Sequence, residues 1–160
     1  MIPVLKYSYR VAIVDDDEGV RQVLDEFLSQ APGFAVVASC PDGETALRQL
    51  PACLPDIVLM DICLPGMSGI ECLLKLKTLL PLVRVVMLTG YSDEELISRS
   101  FAAGAEGYLL KPSSHEELLA ALRETLSGGG RVGFPGPTRS GPRRAEAHAD
   151  GVSGRCPSPA

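Results

Sequence analysis

Ile57-Val58-Leu59-Met60-Asp61 is an apolar run ending in one carboxylate, preceded by Pro55 and followed at once by Ile62-Cys63-Leu64-Pro65-Gly66. A continuous apolar run this short, closed off by prolines and a glycine, predicts a strand buried on both faces, as in a parallel sheet. Asp61 then sits where that strand ends. Ligands of open α/β sheets bind outside the carboxyl ends of their strands, so an acid there is placed for chemistry. An isolated Asp could equally do no more than start a turn. Its companions decide between the two.

Working outward, Val11-Ala12-Ile13-Val14 is a second short apolar run, and it too ends in acid, Asp15-Asp16-Asp17-Glu18. Val20, Val23, Leu24, Phe27 and Leu28 recur at helical spacing and predict an amphipathic helix that stops near Ala31-Pro32-Gly33. Phe34-Ala35-Val36-Val37-Ala38 predicts the next strand, and Asp42 is placed to cap a helix carrying Ala46, Leu47 and Leu50 before Pro51. Downstream, Ser68-Gly69-Ile70-Glu71 has the spacing of a capping box, opening a helix with Ile70, Leu73, Leu74 and Leu80. Arg84 to Thr89 predicts a fourth strand. Ser92-Asp93-Glu94-Glu95 then has the same box spacing, before Leu96, Ile97 and Phe101, and Gly104 suits the end of that helix. Gly107-Tyr108-Leu109-Leu110 predicts a short fifth strand running into Lys111-Pro112, and Ser114 to Glu117 is a third box before Leu118, Leu119, Leu122 and Leu126.

Five strands alternating with five helices predict an α/β fold: a doubly wound, five-stranded parallel sheet covered by helices on both faces, a three-layer sandwich. All strand ends then share one edge. What stands there is Asp15 and Asp16, Asp61, Thr89 and Lys111. The second strand contributes nothing reactive.

Composition bounds the rest. A chain of 160 residues, 46% of them apolar, suffices for one domain with a full core, expected over residues 1–127. No apolar run reaches the roughly 18 residues of a membrane span, and Met1 to Arg10 lacks the layout of a signal peptide, so a cytoplasmic protein with no membrane partner is expected. Cys40, Cys53, Cys63, Cys72 and Cys156 form no C-x-x-C pair and are odd in number; with two histidines besides, a zinc site is improbable, and the first four read as small buried thiols. Residues 1–126 hold 10 Lys+Arg against 18 Asp+Glu, a net −8, while 127–160 hold 5 against 2, a net +3. An acidic body is a poor surface for nucleic acid.

Converging carboxylates repel: two unit charges at about 4 Å cost ~4 kcal/mol at an effective dielectric near 20. A hard divalent cation such as Mg²⁺ relieves that repulsion and leaves sites open for phosphate oxygens. Thr89 adds a hydroxyl and Lys111 a compact cation, both suited to a phosphoryl group. A nucleophilic carboxylate, a metal, a hydroxyl and an ammonium are the parts for phosphoryl transfer onto Asp61. The sequence has no Walker loop and no kinase glycine-rich loop, so the phosphoryl group must come from another molecule.

The chain resembles the receiver domains of bacterial two-component response regulators, the chemotaxis-regulator-like group, over about residues 8–127. The resemblance rests on Val11 to Asp16, on Ile57 to Asp61 with Leu64-Pro65-Gly66-Met67-Ser68-Gly69, on Met87-Leu88-Thr89-Gly90 and on Gly107 to Pro112. It implies a flavodoxin-like strand order of 2-1-3-4-5. It implies Asp61 as phosphoacceptor from a phosphohistidine of a sensor histidine kinase, and Mg²⁺ held by Asp15, Asp16, Asp61 and the backbone carbonyl of Cys63. It further implies that Thr89 and Lys111 stabilise the acyl phosphate, that Thr89 and Tyr108 form the switch pair, that the bond before Pro112 is cis, and that a homodimer can follow phosphorylation. Such a domain is a signalling module with at most slow self-dephosphorylation. The rival, a Mg²⁺-dependent aspartyl-phosphate phosphohydrolase, needs a second acid two residues after the nucleophile, where this chain has Cys63.

Residues 127–160 hold 8 Gly and 5 Pro and no apolar stripe, which predicts a disordered tail over 128–160. Gly128-Gly129-Gly130 resembles a linker to a helix-turn-helix, yet no amphipathic DNA-binding helix follows it. Three readings stay open: a stand-alone shuttling receiver, a transcriptional regulator cut short, or a tail read in a shifted frame.

Overall fold

The computed structural model describes residues 7–111 and 114–128. Its elements alternate without exception: β1 (Tyr9–Val14), α1 (Glu18–Gln30), β2 (Phe34–Cys40), α2 (Gly43–Cys53), β3 (Ile57–Met60), α3 (Gly69–Leu79), β4 (Arg84–Thr89), α4 (Glu94–Ala102), β5 (Gly107–Leu110) and α5 (His115–Leu126). The strands are all parallel in the order β2-β1-β3-β4-β5. The expected doubly wound sheet and its order are both present.

Strand alternation divides the core in two. Ala12, Val14, Val58, Met60, Val85 and Met87 point to the face covered by α2, α3 and α4. Val11, Ile13, Ile57, Leu59, Val86 and Leu88 point to the face covered by α1 and α5. All four residues of β3 are buried, as its unbroken apolar run required. Each fully buried Leu, Ile or Val contributes roughly 1.5–3 kcal/mol, so sliding β3 by one position would exchange the two faces of the most heavily covered strand.

Several local expectations need correction. Val23 and Leu74, read as core positions of their stripes, are each 54% exposed; they lie at the flank of an apolar arc whose centre is Leu24 and Leu28 in α1, and Leu73 and Leu76 in α3. α2 does not end before Pro51 but runs through it to Cys53. There Leu54 takes a left-handed φ of 52°, its amide donates to the Leu50 carbonyl, and the Arg10 guanidinium donates to the carbonyls of Cys53 and Leu54. The exposed carbonyls of the helix end are thereby satisfied. α4 is capped by Asp93 rather than Ser92, its carboxylate accepting from the Glu95 amide at 2.7 Å. At α3 the Ser68 hydroxyl accepts from the Glu71 amide, but the Glu71 carboxylate turns to Lys75 at 3.7 Å. The reciprocal box forms at Ser114 and Glu117. Cys40 and Cys72 are buried free thiols, held up to about 11 and about 12 chiefly by burial; Cys53 is a half-buried free thiol, and Cys63 is half-buried and disulfide-bonded rather than a buried thiol. The bond before Pro112 and the tail from residue 129 onward lie outside the described residues.

Candidate functional site

The hydrogen-bond ladder of the sheet continues one residue past its strands. The Asp15 amide donates to the Cys40 carbonyl at 3.0 Å, that of Asp61 to the Val14 carbonyl at 2.9 Å, and that of Lys111 to the Thr89 carbonyl at 2.8 Å. This brings acids, hydroxyl and ammonium to one level at the carboxyl edge. Asp15, Asp16 and Asp61 present carboxylate oxygens within 4.8 Å of one another. Lys111 Nζ bridges the two buried acids, 2.6 Å from Asp15 Oδ2 and 3.2 Å from Asp61 Oδ2. Asp15 is 2% exposed and Asp61 7%, while Asp16 faces solvent. An open cleft of about 600 Å³ lies over the group, bordered by Asp16, Asp61, Cys63, Gly90, Tyr91 and Lys111.

Charge at the site does not balance. Burial pushes the Asp61 carboxyl above its ordinary range; Lys111 opposes this, Asp15 adds to it, and the Lys111 and Thr89 side chains offer hydrogen bonds that lower it again. For Lys111, burial pulls downward, but the combined pull of Asp61 and Asp15 outweighs it and the net shift is upward. One ammonium therefore serves two buried carboxylates, and Asp61 is left undercompensated. The hydroxyl of Thr89 is fully buried, and although it bears on Asp61 it has no partner at good hydrogen-bond geometry. A hard, oxygen-only donor set short of positive charge fits Mg²⁺, and the orphaned hydroxyl suits an incoming oxygen.

Tyr108 is buried on β5, and its hydroxyl donates to the Tyr91 carbonyl in the β4–α4 connection at 2.7 Å. Burial also pushes its phenol far up, so it stays a neutral donor. Four participants were missed by reading the sequence. The Asp17 amide donates to Asp15 Oδ1 at 2.9 Å, fixing that carboxylate. Arg21 Nη1 donates to the Asp15 carbonyl at 2.8 Å. Gly69 packs so tightly that a Cβ there would overlap the Asp61 carbonyl oxygen, and its amide donates to the Ile62 carbonyl at 2.6 Å. Tyr91 supplies the carbonyl for Tyr108. Gly69, directly after the capping Ser68, carried a readable signal: a glycine opening a helix beside a reactive strand end.

The family described as response regulator receiver domain matches residues 11–123. The chain belongs to this family. The receiver is 33% identical over 123 residues to the transcriptional regulatory protein DegU of Brevibacillus brevis, covering 77% of this chain and 52% of that protein. It is 33% identical over 121 residues to the response regulator protein VraR of Staphylococcus aureus, covering 76% and 58%. The receiver thus spans little more than half the length of these curated relatives. Among solved structures it is similar to a LuxR-family two-component response regulator from Aurantimonas sp. SI85-9A1 (TM-score 0.74, 34% identity, 78% of this chain and 89% of that one). It is also similar to CheY of Borrelia burgdorferi in a CheX–CheY–BeF3–Mg²⁺ complex (TM-score 0.70, 27% identity, 74% and 90%). Receiver domains are signalling domains, and no helix among the described residues is long and apolar enough to cross a membrane.

Proposed function

We propose that this receiver takes a phosphoryl group onto Asp61 from a phosphohistidine of a sensor histidine kinase. The observation that carries the reading is the bridging Lys111: one ammonium shared by two buried carboxylates, with Asp61 still short of compensation. In the transfer, an Asp61 carboxylate oxygen forms a P–O bond as the P–N bond of the donor breaks. Asp15, Asp16, Asp61 and the Cys63 carbonyl would hold Mg²⁺, which when bound spreads the charge of carboxylates and phosphoryl oxygens. Lys111 pairs with the acyl phosphate, and the Thr89 hydroxyl donates to one of its oxygens. Cys63, two residues after Asp61, supplies no acid, so only slow self-dephosphorylation is expected.

Phosphorylation adds about −1.5 to −2 charge at the site. Thr89 and Tyr108 form the switch, biasing the β4–α4 connection through the bond from Tyr108 to Tyr91. We read residues 1–127 as the receiver and 128–160 as an appended tail, the protein as cytoplasmic, and the output as transcriptional regulation in longer relatives. The test is labelling of the full chain with acetyl phosphate and Mg²⁺, read as added phosphoryl mass. Wild type gains it and Asp61→Asn does not; labelling of the variant at the same site would overturn the assignment.

A further inference from the structure

Asp15 is held at four points. Its amide donates to Cys40, Lys111 takes Oδ2, the Asp17 amide takes Oδ1, and Arg21 Nη1 reaches the Asp15 carbonyl from the first turn of α1. The first three fix the strand end and the carboxylate. The fourth fixes something else, the peptide plane between Asp15 and Asp16. Asp16 is exposed, yet its carboxylate must point toward the cleft for its oxygen to fall within 4.8 Å of those of Asp15 and Asp61. Turning the Asp15–Asp16 peptide would swing Asp16 away while leaving Asp15 in place.

Arg21 has other acids at hand. It borders a surface hollow with Glu18, Asp25 and Glu26, and among the described residues no ion pair joins it to any of them. The guanidinium is instead half-buried and directed at the Asp15 carbonyl. A guanidinium suits this task because its planar fork holds direction better than a rotatable ammonium. Its first helical turn is itself anchored: Asp17 caps α1 through the Val20 amide, and the Arg21 amide donates to the Asp17 carbonyl. Loop and helix therefore brace one another, with Arg21 as the strut.

On the reading that Asp15, Asp16 and Asp61 hold Mg²⁺, we propose that Arg21 is a positioning residue for that cation, acting through the Asp15–Asp16 peptide. Groups one step removed from a metal orient its ligands, and their loss typically costs about 10- to 100-fold in metal affinity. Arg21 does not border the cleft, and it donates to a main-chain carbonyl rather than to any of the three carboxylates. Its effect is on how often Asp16 is correctly presented.

The test is calorimetric titration of the full chain with MgCl₂, alongside thermal unfolding in EDTA. Arg21→Met keeps the apolar stem and removes every donor; it should weaken Mg²⁺ by about tenfold or more. Arg21→Lys, retaining a donor without the fork, should fall between Met and wild type. Arg48→Ala, on α2 and bonded to Thr45, should bind Mg²⁺ as wild type does. A role confined to bracing α1 would lower the melting midpoint in EDTA and leave Mg²⁺ affinity alone. Wild-type affinity in Arg21→Met overturns the proposal, and a wild-type chain that gives no Mg²⁺ titration overturns it together with the cation reading.

Discussion

The two ends of the sheet carry similar side chains put to opposite uses. At the carboxyl end, Asp15 and Asp61 share Lys111 beside the buried Thr89 hydroxyl. At the amino end stand Asp56, Arg10, Arg84 and Tyr7. There Asp56 accepts from the Arg10 amide and the Tyr7 hydroxyl, Arg10 donates to the carbonyls of Cys53 and Leu54, and Arg84 donates to the Thr125 carbonyl. Most of those partners are main-chain groups, fixed as soon as the fold forms. At the carboxyl end the decisive partners are other charged side chains, which, under the proposed function, a cation or a phosphoryl group would replace. A groove of about 470 Å³ at the amino end is bordered mainly by apolar residues such as Leu54, Leu80 and Leu82, where the site cleft is bordered by acids and a lysine. Charge alone does not mark a functional end. Exchangeable partners do.

The contrast breaks most sharply at Asp61. Asp61→Asn should abolish labelling, yet the variant should not be less stable at neutral pH, because it removes a buried, undercompensated carboxylate. Since burial raises the folded-state value above the ordinary carboxylate range, the folded wild type binds its proton more tightly than the unfolded chain does. Stability contributed by the protonated form is present below the ordinary carboxylate range and is lost as pH rises through the raised value. The advantage of Asp61→Asn should therefore grow through that window and vanish below it, in paired thermal melts. Gly69→Ala comes next: forcing a methyl group against the Asp61 carbonyl should cost about 3 kcal/mol or more in denaturant unfolding and lower labelling as well. Arg10→Ala should cost about 1–2 kcal/mol, from lost bonds at the end of α2, and leave labelling unchanged.

The smallest effect is the most discriminating. Thr89 and Thr125 both bury a hydroxyl without a partner, one at each end. Changing either to Val should raise stability by about 1 kcal/mol, because a buried unsatisfied hydroxyl is removed. Thr89→Val alone should slow labelling by acetyl phosphate. Equal labelling in the two variants would erase the difference drawn between the ends.

Short apolar runs made the fold legible. β3 and β4 read directly because burial on both faces leaves no polar residue to interrupt them; Asp61 and Thr89 followed from where those runs stop, and Lys111 from where the shorter β5 stops. The strand order came from family resemblance, since periodicity says nothing about which strands adjoin. What escaped notice depends on groups distant in sequence. Pro51 reads as a stop until Arg10, 41 positions earlier, is seen closing the helix beyond it. Val23 and Leu74 fit an apolar stripe by spacing, but spacing does not give the width of the arc that the sheet covers. Arg21 and Tyr91 act through main-chain carbonyls, contacts that leave no pattern of residue types.

Gly69 and Gly90 stand under opposite constraints, the first packed against the main chain at the reactive strand end and the second on the border of the cleft. A Cβ at Gly69 has no room, and one at Gly90 would meet nothing within 4 Å. Gly69 is pinned against the reactive strand end, whereas Gly90 borders the cleft on open space, beside the Tyr91 carbonyl that accepts from the Tyr108 hydroxyl. Under the proposed switch, a partner that reads the phosphorylated cleft from outside is expected to meet its altered contour at Gly90-Tyr91-Ser92.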